Sequence, residues 1–291
     1  MAGTAIALAL IATFNASTIK WHPSWQTALK AASKSGKLVY VFVYLPHRLP
    51  CAQMDRRTFH DRDVIKLLGN FECAAVDAST IEGGRFVERF QLPWIRDDQT
   101  GIKMAVVPNH LFFTPKGREL HRQVGYVPPI AFKALLERVL KLNELIRAVH
   151  RDPKNASLQA ELGHLYLQLN RNREGRQHLE LAIALDPDNA KRAKQRGLLD
   201  LAILTIKEDP RLAIQRLRRW LEQYGRGEMR IEAEFYLASA YVAAGEKAKA
   251  DDILIKYVKA KKGTLEAESF WGARARALYR ELHEKKTAAA P

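Results

Sequence analysis

The chain has 291 residues, 47% of them hydrophobic, and carries 47 basic against 32 acidic side chains, a net charge of +15. That length suits two domains, the apolar fraction excludes a disordered polymer, and two cysteines exclude a disulfide framework or a cysteine-rich metal centre. The positive excess is spread, with 20 basic and 12 acidic groups in residues 1–150 and 27 and 20 in residues 151–291. A nucleic-acid module concentrates its charge on one element, so the reading is a solvated basic surface and no nucleic-acid partner.

Residues 1–16 form an apolar run of signal-peptide length, too short to span a bilayer and without a Lys or Arg ahead of it. Residues 1–18 are therefore expected to be a signal or targeting segment of an exported protein, although an N-terminal strand or helix fits the same run. No later segment predicts a membrane span.

Residues 25–35 have helical spacing and stop at Gly36-Lys37. Residues 38–44 read as a buried strand. After the turn 45–51, helical spacing runs to about Leu68 and ends at Gly69-Asn70. Residues 71–78 predict a second strand, in which Cys73 is a small core residue. A short helix over 85–90 closes near Pro93. The stretch 93–104 contains Asp97-Asp98-Gln99-Thr100-Gly101, which is turn chemistry. Residues 106–114 and 119–126 predict an antiparallel pair around Pro115-Lys116-Gly117. This order suits a mixed sheet with helices on both faces.

From Pro129 one long helix is expected to run towards His150, and Asp152-Pro153-Lys154-Asn155 marks the domain boundary. The two domains are set at 19–150 and 151–284. In the second, Leu162, Gly163, Tyr166, Gly175, Leu179, Ala182 and Pro187 fall at the spacing of a tetratricopeptide (TPR) unit, a helix pair of about 34 residues. Leu237, Ala238, Tyr241, Gly245, Ala250 and Leu254 repeat it approximately. Residues 197–224 form a degenerate unit with Ala213, Leu217 and Leu221 on one face. A helix over 265–282 caps the array, and residues 285–291 are expected to be a disordered tail.

The run Leu45-Pro46-His47-Arg48-Leu49-Pro50-Cys51 lies between strand and helix. It resembles the active-site turn of thioredoxin-like proteins, Trp-Cys-x-Pro-Cys. His47 stands at the Trp, Arg48 at the first Cys, and Pro50-Cys51 match. The lead-in Trp21-His22-Pro23-Ser24-Trp25, the run Thr58 to Val64, and Val107-Pro108 at the cis-proline position extend the resemblance to the periplasmic branch over residues 19–142. It implies a thioredoxin-like α/β fold over this part, and the repeat spacing implies an all-α TPR-like domain after it. Two departures matter: Phe42 stands where many thioredoxins carry a buried acid, and 93–104 is an extra stretch.

Thiol exchange needs an attacking thiolate and a second thiol to release the mixed disulfide. Cys51 matches the deeper cysteine, and Arg48 forms no disulfide. Arg48 would lower the Cys51 pKa if its guanidinium folds back. A Cys-His metal site from His47, Cys51 and His110 lacks a fourth ligand, and no metal or cofactor is expected. Arg171, Arg173, Arg176, Lys191, Arg192, Lys194 and Arg196 cluster around the first helix pair. Arg173 and Arg176 are the candidates for meeting an acidic partner, against a solvated face as the alternative. The sequence thus points to a non-dithiol interaction platform for protein or peptide partners in the cell envelope. The rival is a thiol–disulfide oxidoreductase or isomerase working through Cys51 alone. Oligomeric state is left open.

Overall fold

The computed structural model describes residues 19–96 and 103–284. The signal-segment expectation, the 97–101 turn and the tail expectation lie outside those residues. The chain divides into two compact units between Ile146 and Arg147.

In the first unit, β1 (Trp21–His22) leads into α1 (Trp25–Ser35). A capping box starts α1: the Thr27 amide donates to Ser24 Oγ at 3.2 Å and the Ser24 amide to Thr27 Oγ1 at 3.1 Å. Gly36, at φ 74°, ends it in the left-handed conformation that glycine adopts freely. The strand β2 (Leu38–Tyr44) is buried along its whole length. It pairs in parallel with β3 (Phe71–Asp77) on one side and antiparallel with β6 (Asn109–Phe113) on the other. The five-stranded order is β1-β3-β2-β6-β7, with β7 at Glu119–Val124. A central strand covered on both faces needs the unbroken apolar run seen in its sequence. Val39, Val41 and Val43 pack with Trp25, Phe86, Leu111 and Phe113 on one face. Tyr40 and Phe42 meet Phe59, His110 and Phe132 on the other.

Three local expectations are corrected. The helix after the turn does not run to Leu68. It is α2 (Leu49–Gln53), a π-helical turn over Met54–Thr58, and a new helix α3 (Arg62–Leu68). Asp61 restarts it, its carboxylate accepting from the Asp63 and Val64 amides at 3.0 Å. The next helix, α4 (Ile81–Arg89), begins four residues before the expected start, capped by Thr80 Oγ1, which accepts from the Gly83 amide. The Gly83-Gly84 pair hid that start, because glycine disfavours helix. The stretch before Pro108 holds a separate antiparallel hairpin, β4 (Trp94–Arg96) with β5 (Lys103–Ala105).

The long helix α5 (Pro129–Arg151) carries the chain into the second unit. That unit is helical: α6 (Ala156–Gln168), α7 (Asn172–Leu185), α8 (Ala193–Thr205), α9 (Pro210–Tyr224), α10 (Arg230–Ala243), α11 (Lys247–Val258), α12 (Leu265–Glu268) and α13 (Phe270–Glu284). The expected single capping helix is thus broken at Ser269. Helices α6 and α7 cross where two glycines meet. A Cβ on Gly175 would lie 2.3 Å from Leu167 Cδ2, and one on Gly163 would lie 2.7 Å from Leu179 Cγ. Further on, Ala213, Leu217, Trp220, Ala238, Tyr241, Leu254 and Tyr257 share one core.

Candidate functional site

The turn after β2 is built by local backbone chemistry. His47 sits in the left-handed region at φ 63°. Arg48 is extended and caps the start of α2, and Pro50 falls in its first turn, where a missing N–H costs nothing. Cys51 lies one residue inside and is 5% exposed. Burial pushes its thiol up; a main-chain hydrogen bond at Leu45 and the Arg48 charge pull the other way without cancelling it. Arg48 itself is exposed and points its Nη2 at the Met104 thioether. The hairpin is therefore held against the turn at the place of the missing cysteine. Sequence reasoning did not single out Met104, since no spacing rule pairs residues 56 apart.

The loop leading into β6 reaches the same end of the sheet, because Val43 of β2 pairs with Asn109. The Val107–Pro108 bond is cis. The Pro108 carbonyl accepts from the Gly125 amide at 2.8 Å, and Asn109 Nδ2 donates to the Val106 carbonyl. His110, weighed with His47 and Cys51 as a metal-site candidate, does not reach the surface. It is fully buried, 2.8 Å from the Tyr40 hydroxyl through Nδ1 and 3.2 Å from the Gly125 carbonyl through Nε2. A carbonyl only accepts, so Nε2 carries the proton and Nδ1 accepts from Tyr40. Burial lowers the His110 pKa to about 4. His47 precedes α2 and shares no helix face with Cys51. The three side chains do not converge, and no cluster of three potential metal ligands occurs among the described residues.

Phe42, at the position of the family's buried acid, is wholly buried and stacks on Tyr44 with centroids 5.7 Å apart. Tyr44 pairs in register with Asp77. Burial raises the Tyr44 hydroxyl, and the nearby Asp77 and Cys51 raise it further. Asp77 is itself engaged, accepting from the Ser79 amide and hydroxyl at 2.9 and 2.6 Å. The only groups left exposed at the turn are His47, Arg48 and Leu49.

A family model for a thioredoxin-like domain matches residues 25–140. The N-terminal unit is thioredoxin-like. Among solved structures, a thioredoxin from Thermus thermophilus is 26% identical over 46% of this chain and 97% of its own, with a TM-score of 0.38. No curated protein matches the chain.

In the helical unit, the basic residues grouped by sequence around the first helix pair do not form one patch. Arg171 is paired with Glu174 at 2.6 Å and lies 4.6 Å from the Tyr166 ring centre. Lys194 donates to the Pro187 carbonyl at 2.5 Å. Arg192 reaches Glu228 at 3.9 Å and Arg176 reaches Glu208 at 4.0 Å. Arg196 is inside. Its guanidinium joins Asp200 on its own helix and Glu232 of α10 at 2.7 Å, while His164 of α6 meets Asp200 at 3.0 Å. Burial alone would lower the Arg196 pKa, yet the hydrogen bonds to Glu232 and Asp200 raise it. This network ties α6, α8 and α10 together. Arg173 stays exposed on α7, so of the two candidates it is the freer.

Proposed function

We propose that the protein is a non-dithiol thioredoxin-like and TPR-like interaction platform of the cell envelope. One observation carries this reading: the place of the attacking thiol is occupied by Arg48, while the remaining thiol, Cys51, is buried and held protonated. A thiol in that state is a poor nucleophile, and no partner thiol at position 48 would release a mixed disulfide. The cis-proline edge keeps what peptide binding needs. Val107 takes no part in the sheet ladder or in the turn bonds among the described residues, so its main chain is available for strand-like pairing with an extended segment. The TPR-like reading of the second unit is supported by helix pairs that approach closely at Gly163 and Gly175, with Tyr166, Ala182, Ala238 and Tyr241 buried between helices. Export rests on the apolar run at residues 1–16 and on the periplasmic character of the resemblance; cell fractionation of the full chain tests it.

The rival reading, a single-thiol oxidoreductase, draws on the pull that Arg48 exerts on Cys51, but burial outweighs that pull. Affinity purification of the full-length chain and its Cys51→Ser variant in excess reductant tests the platform. The same partners should be retained by both. Loss of the partners on removing the thiol would favour the oxidoreductase.

A further inference from the structure

Arg48 is the one cation of the turn whose chemistry is left unused. The only hydrogen-bond partner of its guanidinium among the described residues is the Met104 sulfur, and a thioether is a weak acceptor. A carboxylate would offer charge-assisted, forked bonds about twice as strong as neutral ones. The neighbours are apolar and open to solvent: Leu49 is 68% exposed and Ile95 is 50% exposed. Ile95 pairs directly with Met104 across the hairpin, so both side chains stand on the hairpin face that meets Arg48, while Trp94 and Ala105 on the opposite face pack into the core. The available main chain of Val107 lies one residue before Pro108 at the same sheet end.

We propose that this edge takes an extended polypeptide segment carrying an Asp or Glu beside an apolar residue, with the carboxylate on Arg48 and the apolar side chain between Leu49 and Ile95. This rests on the platform reading and names the partner's chemistry. The residue in the place of the nucleophile has become the residue that selects the partner. An acidic side chain arriving there displaces the Met104 contact and leaves no buried charge behind, since Arg48 is already exposed.

The test uses the full-length protein under reducing conditions. Fluorescein-labelled twelve-residue peptides of alternating Val and Thr carry Glu, Gln or Lys at the centre, and binding is read by fluorescence anisotropy. The Glu peptide should bind about tenfold more tightly than the Gln peptide, with Lys weakest. In Arg48→Gln, whose melting temperature should match the wild type, Glu and Gln should bind within about twofold of each other. Equal binding of Glu and Gln to the wild type overturns the inference, as does a Glu preference that survives Arg48→Gln. A fourth peptide, N-methylated at its central amides, separates this from the platform reading. If Glu and Gln bind equally and both are lost on N-methylation, the edge binds strands and only the role of Arg48 falls. If none of the peptides binds, or N-methylation changes nothing, the platform reading itself fails.

Discussion

Burial decides what the titratable side chains near the turn do. Cys51 is kept as a thiol by desolvation, so adding a partner at position 48 is the direct way to test the turn's geometry. Arg48→Cys should place two sulfurs in the Cys-x-x-Cys arrangement, and mild oxidation should remove two free thiols per chain; two thiols that stay free would speak against the helix start described above. His110 makes a pH-dependent contribution. Its pKa is lowered from 6.5 to about 4 in the folded chain, so the unfolded chain binds more protons between those values. Stability is therefore fully present above pH 6.5 and falls as pH drops towards 4, by roughly 3 kcal/mol from this group. Urea unfolding between pH 4 and 7 measures it, and His110→Gln should flatten that part of the profile. A wild-type profile no steeper than the variant's would mean that His110 is not held neutral.

Among the elements, those with long apolar runs or a clear stop signal were legible in the sequence. The strand β2 and the Gly36 cap are examples, and the Val107-Pro108 loop was placed by the family pattern. The hairpin β4–β5 was not legible, because strands of three residues are too short to show an alternation. Arg196 was misplaced for a different reason. It stands in a basic run, and its partner Glu232 is 36 residues away, so only the fold shows that its guanidinium bridges α8 and α10. Burial separates two kinds of substitution. Arg196→Met strands two buried carboxylates and should destabilise the chain by about 3–5 kcal/mol, and Tyr166→Ala should cost a few kcal/mol, roughly 3, through lost packing. Reversing the two candidates, exposed Arg173 and half-buried Arg176, to Glu should leave the helical circular dichroism and the melting temperature nearly unchanged while weakening binding of an acidic partner. If the charge reversal unfolds the unit and Tyr166→Ala is harmless, the packed and solvated faces have been exchanged.

At the scale of the whole molecule, a thioredoxin-like unit and a helical unit share one chain with net charge +15. Ion pairs such as Arg171–Glu174 and Arg230–Glu234 neutralise some of the basic side chains, and the excess resides in the others. Composition showed the excess but not which cations are satisfied, since pairing is settled by packing. The proposed function requires that this chain keep a peptide-binding edge without thiol–disulfide exchange. Reduction of insulin disulfides by the full-length protein, with dithiothreitol as the electron source, is the deciding measurement. The expected rate is no higher than that of dithiothreitol alone, for both the wild type and Cys51→Ser. Turnover approaching that of a dithiol thioredoxin, abolished by Cys51→Ser, would contradict it.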